Sequence, residues 1–351
     1  MRDRPAASDP RAALREWCVS GEPPRPEGPA HAEAILACAH DQGVAELLCV
    51  RLGDAAGWPE PVREKLRAGY KEAFARGVRL LAVAGRTQAL LAERGVRSLP
   101  LKGVAVAEIL YDSVAERPMG DVDVLVLDSW QSAVGVLAEA GHVVLERADH
   151  AWALREPEFG GVLELHHSVT SAPGLFPIDA EGLWSRSAPG AGQIGRRASP
   201  EDLLLQLALH CAFQHGLSLR LVQYLDFRRA FERTAPDSEA LLDAARAAGA
   251  GAALAAALLA AEAIVGARLP GPLREPLGRL LPARLGRWLE LRLRDPLSLI
   301  SPCETPLARL RWELAAGRRL ELLRRTLASP SRALSLAGRW GSSALRSLRQ
   351  N

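Results

Sequence analysis

Two aspartates at the beginning of an apolar segment constrain this chain more than any other feature. Asp121 and Asp123 open the stretch DVDVLV, which otherwise has the composition of a buried β-strand. Alternate side chains of a strand point to one face, so the two carboxylates lie side by side. Because they repel each other unless a cation lies between them, the pattern predicts a metal site at the head of a buried strand. The alternative is a strand start whose acids face water.

A lysine-glycine turn precedes the aspartates. The spacing predicts a strand over 97–101, a turn at Lys102 and Gly103, a helix over 104–111 and a strand over 121–127. A lysine and a glycine turn at a helix N-terminus are a plausible phosphate cradle. Mg²⁺ usually takes one or two protein carboxylates and completes its shell with phosphates and water. Together the two features predict chemistry on a nucleotide.

The segment KG…Y……RPMGDVDVLV resembles the uncharacterised nucleotidyltransferase family, a branch of the DNA polymerase β-like nucleotidyltransferase superfamily. The resemblance covers roughly residues 30–330 and includes LELHHSV at 163–169, SPEDLLLQLALH at 199–210 and LVQYLDFRRA at 221–230. It implies a nucleotidyltransferase-like fold, the use of Mg²⁺, and a nucleoside triphosphate such as ATP as substrate.

The resemblance assigns the acids their roles. Asp121 and Asp123 hold the metal of the nucleotide, and Glu164 is the candidate for the third carboxylate. Glu164 then helps to deprotonate the acceptor hydroxyl or binds a second metal ion, so that a two-ion site is possible. The three acids are therefore the predicted catalytic and metal-binding residues. An edge-strand acid facing water is the alternative for Glu164.

Four further residues are candidates for binding the nucleotide. Lys102 and Gly103 replace the Gly-Ser pair that many members of the wider superfamily use to hold the triphosphate. Gly103 would then let the backbone approach the phosphates, and Lys102 would neutralise their charge. Arg117 is a second candidate phosphate contact, or else an ordinary loop arginine. His166 lies on the strand face of Glu164, where it bonds the acid, touches a phosphate or packs.

The fold class predicted is α+β, with a small mixed sheet flanked by helices and a mostly helical C-terminal region. We expect a flexible N-terminal arm over 1–30, a nucleotidyltransferase-like domain with N-terminal helices over 31–198, and a helical domain over 199–351. In the helical part, His210 and His215 are five residues apart and are expected on different faces of a helix, which disfavours a metal pair. The tail from Ala308 is expected to be a basic helix.

Composition narrows the class of protein. A net charge of +3 gives no argument for nucleic-acid binding by itself. The odd number of cysteines, the lack of a C-x-x-C pair and the absence of an apolar signal core predict a reduced, cytoplasmic protein. The most apolar run, 247–261, is too short to span a bilayer, so no transmembrane segment is expected.

The sequence therefore predicts an Mg²⁺-dependent enzyme that transfers a nucleotidyl group from a nucleoside triphosphate to a hydroxyl and releases pyrophosphate. One alternative is a catalytically inactive nucleotide-binding or partner-binding scaffold, which the missing serine beside Gly103 favours. Another is an antitoxin-like transferase that modifies a protein or tRNA. The base preference, the acceptor (a small molecule, a protein or RNA) and the oligomeric state stay open.

Overall fold

The computed structural model describes residues 9–53, 57–148, 150–170, 176–177, 179–190 and 192–300. The predicted basic tail helix lies outside these residues. Within the described part of the chain, no helix is both long enough and apolar enough to cross a membrane.

A five-stranded mixed sheet forms one layer of the molecule. Its strands are β1 (Ser98–Leu101), β2 (Val122–Val126), β3 (Val143–Arg147), β4 (Ala151–Arg155) and β5 (Val162–His166). They are arranged in the order β1-β2-β5-β4-β3, and only β2 and β5 run parallel. β2 is buried along its whole length, as its apolar composition predicts.

Helices precede, interrupt and follow the sheet. Before and within it lie α1 (Pro10–Ser20), α2 (Pro29–Asp41), α3 (Ala45–Leu52), α4 (Glu60–Glu93), α5 (Lys102–Leu110), α6 (Trp130–Glu139) and α7 (Ala180–Arg186). After it come α8 (Pro200–Ala208), a π-helical turn (Leu209–Gln214), α9 (Leu221–Thr234), α10 (Ser238–Ala247), α11 (Gly251–Val265), α12 (Gly271–Leu280) and α13 (Ala283–Leu293). The predicted α+β class with a helical C-terminal region is confirmed.

Local sequence signals explain several helix boundaries. Ser199 caps α8 by accepting a hydrogen bond from the backbone N–H of Asp202, with Pro200 in the first turn. From its sequence the stretch 271–294 is expected to form a single helix, but Pro282 divides it into α12 and α13. Leu281, the residue before this proline, has an extended conformation, since the proline ring disfavours the helical region for its predecessor.

The core consists of two buried clusters, and α4 contributes to both. The second half of α4, from Leu80 to Leu91, packs with the sheet and with α6. Its first half, with Val62 and Leu66, packs with α1, α2, α3 and the helices after residue 199. The domain boundaries stay a prediction. The helices α1, α2 and α3 and the first half of α4 share their core with the C-terminal helices, whereas the second half of α4 packs with the sheet.

Within the predicted N-terminal arm over 1–30, for which the sequence also indicates a short helix at 10–18, residues 10–20 form α1. Leu14, Trp17 and Cys18 of α1 are buried, and Arg15 donates a hydrogen bond to the carbonyl oxygen of Ala263 in α11. The proline-rich composition suggested a loose segment, but the apolar face of α1 is covered by the C-terminal helices. Residues 1–8 lie outside the described part of the chain.

Candidate active site

The register of the sheet brings two of the predicted acids together. β2 and β5 are parallel neighbours, and Asp123 is paired directly with Glu164. On the other side of β2, Leu101 is paired with Asp123, so Lys102 follows immediately beside it. Side chains at paired positions of neighbouring strands point to the same face. One end of the sheet therefore carries two acids and a lysine.

Asp123 lies between two cationic groups. Its Oδ1 atom is 2.6 Å from Nζ of Lys102 and 2.7 Å from Nε2 of His166. Only 4% of Asp123 and 1% of His166 are exposed. The sequence offered Glu164 as the acid that His166 bonds, but the shorter contact of His166 is with Asp123. Oδ2 of Asp123 accepts no hydrogen bond from a described residue, so this oxygen is available to a ligand.

Glu164 completes a three-residue group that is able to hold a cation. Its Oε2 atom is 3.4 Å from Nε2 of His166, and its side chain is 36% exposed. Ligand atoms of Asp123, Glu164 and His166 all lie within 4.8 Å of one another. Asp121, which directly precedes β2, lies outside this group. Its carboxylate is nevertheless close enough to be repelled by the charges of Asp123 and Glu164.

The two aspartates of the site have pKa values shifted in opposite directions. Burial, followed by repulsion from Asp123 and Glu164, raises the pKa of Asp121 to about 6. Burial also opposes the ionisation of Asp123, but Lys102 and His166 outweigh it and hold the pKa of that carboxyl below its usual range. The same contact outweighs burial at Lys102 and raises the pKa of its ammonium. Asp123 is thus compensated by the protein, whereas Asp121 is not.

The lysine-glycine turn has an unusual backbone. Lys102 begins α5 with a φ of +44°, a left-handed conformation that residues with a side chain rarely adopt. Its backbone N–H donates to Oε1 of Gln206, at 3.3 Å. A Cβ atom on Gly103 would lie 3.3 Å from Cγ and Sδ of Met119, so this glycine allows a close approach to the loop before Asp121. Gln206 carries no local sequence signal of this contact.

Arg117 is held by an acid of the helical region. Two of its guanidinium nitrogens donate to the carboxylate of Asp226 at 2.9–3.0 Å, and the aspartate is 1% exposed. Tyr111 donates its hydroxyl hydrogen to the same carboxylate. The sequence leaves open whether Asp226 faces the cleft, caps a helix or pairs with Arg228 or Arg229. In the structure it lines the cleft and pairs with Arg117. Arg117 and Lys102 line one narrow cleft.

The two histidines of the π-helical turn are also close together. Their Nε2 atoms are 3.0 Å apart, whereas the sequence predicted different faces of a helix. The reason is that the backbone N–H of His215 bonds to the carbonyl oxygen of His210. Hydrogen bonds of this i→i+5 type place residues five apart on one side. His210 lines the cleft of Lys102 and Arg117.

The donor set fits a divalent cation. Asp123 retains a carboxylate oxygen that no described residue bonds, and Glu164 supplies another oxygen near it. Carboxylate oxygens are ligands that Mg²⁺ prefers. Nε2 of His166 is already engaged with Asp123. His166 is therefore suited to orienting the aspartate, and the acids to holding the cation.

Comparison with known proteins gives a family match and distant structural similarity. The model of the uncharacterised nucleotidyltransferase family matches residues 28–266, which include the sheet and the acid cluster. No curated protein matches the chain.

Two solved structures are similar to parts of the chain. One is the antibiotic-resistance factor ANT(2'')-Ia, with 17% identity over 48% of this chain and 90% of that chain and a TM-score of 0.34. The other is an antigenic nucleotidyltransferase-like protein from Paracoccidioides brasiliensis, with 16% identity over 64% of this chain and 94% of that chain and a TM-score of 0.30.

Proposed function

The chain belongs to the uncharacterised nucleotidyltransferase family, and from this premise we propose that it transfers a nucleotidyl group from a nucleoside triphosphate to a hydroxyl acceptor, with Mg²⁺ held by Asp121, Asp123 and Glu164. The observation that carries the proposal is the direct pairing of Asp123 with Glu164 in parallel strands. This pairing places two carboxylates at one end of the sheet, beside Lys102.

The bound cation would offset charge on the triphosphate and on the departing pyrophosphate. Residues of the protein bind and orient the nucleotide. Lys102 donates to phosphate oxygens as a compact cation, and Gly103 admits the backbone close to them. His166 keeps Asp123 oriented through the bond to Oδ1. Arg117 contributes a second positive charge to the cleft, although Asp226 occupies two of its nitrogens.

Glu164 is also the candidate general base, through the carboxylate oxygen that does not hold the cation, because its side chain is partly exposed and lies beside Asp123. It accepts the proton of the acceptor hydroxyl while that oxygen forms a bond to the α-phosphorus. The bond between the α-phosphorus and the oxygen bridging to the β-phosphate breaks, and pyrophosphate leaves with the electron pair. No external oxidant or reductant is needed.

Calorimetric titration of the four ribonucleoside triphosphates, with and without Mg²⁺, tests the proposal. We expect Mg²⁺-dependent binding of at least one triphosphate, which Asp121→Asn and Glu164→Gln weaken at least tenfold. Asp243→Asn, an exposed acid on α10, is the matched control and should bind as the parent does. If a folded parent binds none of the four, the proposal fails and the scaffold alternative is favoured.

The acceptor is tested separately. A nucleoside triphosphate labelled at the α-phosphate is incubated with the protein and, in turn, with small-molecule, protein and RNA fractions. Label that enters one fraction only when Glu164 is intact identifies the acceptor class. Label in protein or tRNA would match the antitoxin-like alternative.

A further inference from the structure

A second cavity lies on the far side of α9 from the cleft of Lys102. Its volume is about 250 Å³, and α1, α3 and α9 enclose it. The lining residues are Trp17, Cys18, Gly21, Leu47, Arg51, Leu225, Arg228, Arg229, Glu232 and Arg233. None of these residues lines the cleft of Lys102 and Arg117. The cavity is therefore a separate site and goes beyond the proposed function.

The lining is strongly basic. Four arginines face the cavity from two helices, and Glu232 is the one acid of the lining. Arg228 is fixed in place, because its Nε donates to Glu232 at 2.7 Å and its Nη1 donates to the carbonyl oxygens of Cys18 and Val265. A cation held in this way loses little side-chain entropy when it binds an anion.

Arg229 is a buried cation with incomplete compensation. Only 7% of the residue is exposed, yet its two hydrogen bonds, to the carbonyl oxygen of Leu110 and to Glu116, are long at 3.3 and 3.4 Å. Its guanidinium also lies 4.3 Å from the centre of the Tyr111 ring. A guanidinium has five N–H donors, and Arg229 contributes to the lining of the cavity.

The other two arginines are exposed at the rim. Arg51 makes no hydrogen bond or ion pair with any described residue, and Arg233 pairs with the exposed Asp112 at 2.8 Å. The pair of Arg233 with Asp112 is exposed, so giving it up for a bound anion costs little. With the acids in contact with these cations included (Asp112, Glu116 and Glu232), the charge around the cavity remains positive.

We propose that this cavity binds the phosphate group of a small phosphorylated molecule. Four guanidinium groups from two helices line one space. A guanidinium bonds phosphate oxygens in a bidentate fork, and several such cations together suit the nearly double negative charge of a phosphate group better than the single charge of a carboxylate. The cavity volume accommodates a phosphate and a small organic group, with Leu47 and Leu225 offering apolar contact. The indole of Trp17 is 4% exposed and forms part of the wall.

Titration with inorganic phosphate in a chelator-containing buffer tests this site, because the acid cluster then has no cation to attract the anion. We expect saturable binding to the full chain, reported by calorimetry. The double substitution Arg51→Ala with Arg233→Ala should weaken it at least tenfold. Both positions are exposed, so this variant should keep the circular dichroism spectrum of the parent. Arg246→Ala, an exposed arginine on α10 paired with Asp243, is the control and should change nothing.

Two further variants separate this site from the proposed active site. Lys102→Ala should retain phosphate binding in the chelator, and Arg51→Ala with Arg233→Ala should retain Mg²⁺-dependent triphosphate binding. If Lys102→Ala abolishes phosphate binding while the double arginine variant keeps it, the anion occupies the other cleft and the inference is wrong. Absence of saturable binding to the parent at tens of millimolar phosphate would equally overturn it.

Discussion

The ammonium nitrogen of Lys102 lies 2.6 Å from Oδ1 of Asp123, and the two side chains are 15% and 5% exposed. A carboxylate of the proposed metal site is thus neutralised by the protein itself. Asp121 forms no ion pair with a described residue, and burial together with repulsion from Asp123 and Glu164 opposes its ionisation. We therefore expect the two aspartates, which are equivalent in the sequence pattern, to have opposite effects on stability.

Asparagine substitutions should reveal this difference. We expect Asp123→Asn to lower the free energy of unfolding by roughly 3 kcal/mol, because removing one partner of a buried ion pair leaves Lys102 uncompensated. Asp121→Asn should raise it by roughly 1 kcal/mol in metal-free buffer, because a repelled carboxylate is removed. Urea unfolding in the presence of a chelator measures both values. Equal signs for the two variants would contradict this assignment.

The effect of Asp121 should depend on pH. The pKa of Asp121, at about 6, is higher in the folded chain than the usual value for an unfolded one. Its ionisation therefore destabilises the fold fully above pH 6, and the destabilisation disappears as the pH falls below the unfolded pKa of about 4. We expect the advantage of Asp121→Asn in chelator to be complete at pH 7 and absent near pH 4. An advantage independent of pH would point to a cause other than charge.

The backbone and the side chain of Lys102 can be tested separately. Lys102→Ala and Lys102→Gly both remove the ammonium, but only glycine relieves the left-handed φ of +44°. We expect Lys102→Gly to be more stable than Lys102→Ala by roughly 1 kcal/mol in thermal unfolding. Both variants should weaken triphosphate binding more than nucleoside binding. Equal losses for the two ligands would remove Lys102 from the phosphate site.

The pair of Arg117 and Asp226 should be strongly coupled. Either single substitution, Arg117→Met or Asp226→Leu, leaves a buried charge alone and should cost roughly 3–5 kcal/mol. The double variant should recover much of this loss, since both charges are then gone. A double-mutant cycle by urea unfolding gives the coupling energy. Additive losses would mean that the contact contributes little beyond packing.

His210 should remain neutral where an ordinary histidine becomes protonated. Burial, followed by the neighbouring His215 and Lys102, lowers the pKa of His210 well below its usual value. Ring-nitrogen NMR across the mildly acidic range should therefore show a single neutral tautomer for His210. A chemical-shift change typical of imidazolium near pH 6 would show that the cleft favours a second positive charge.

The sequence by itself determined the features that depend on local periodicity and capping. The alternation of side chains in a strand placed Glu164 and His166 on one face, and the cap at Ser199 fixed the beginning of α8. The apolar stretch after Asp121 identified β2. The resemblance to the family through these segments is confirmed by the family match.

Only the tertiary structure decided which of these residues meet. The contact of Arg117 with Asp226 joins residues 109 positions apart, and the pairing of Asp123 with Glu164 depends on the placement of β5 beside β2. The π-helical turn that joins His210 to His215 departs from ordinary helical spacing. The helices that bury the apolar face of α1 lie far from it in the sequence. Such contacts follow from the burial of whole elements against one another, which no local pattern of residues specifies.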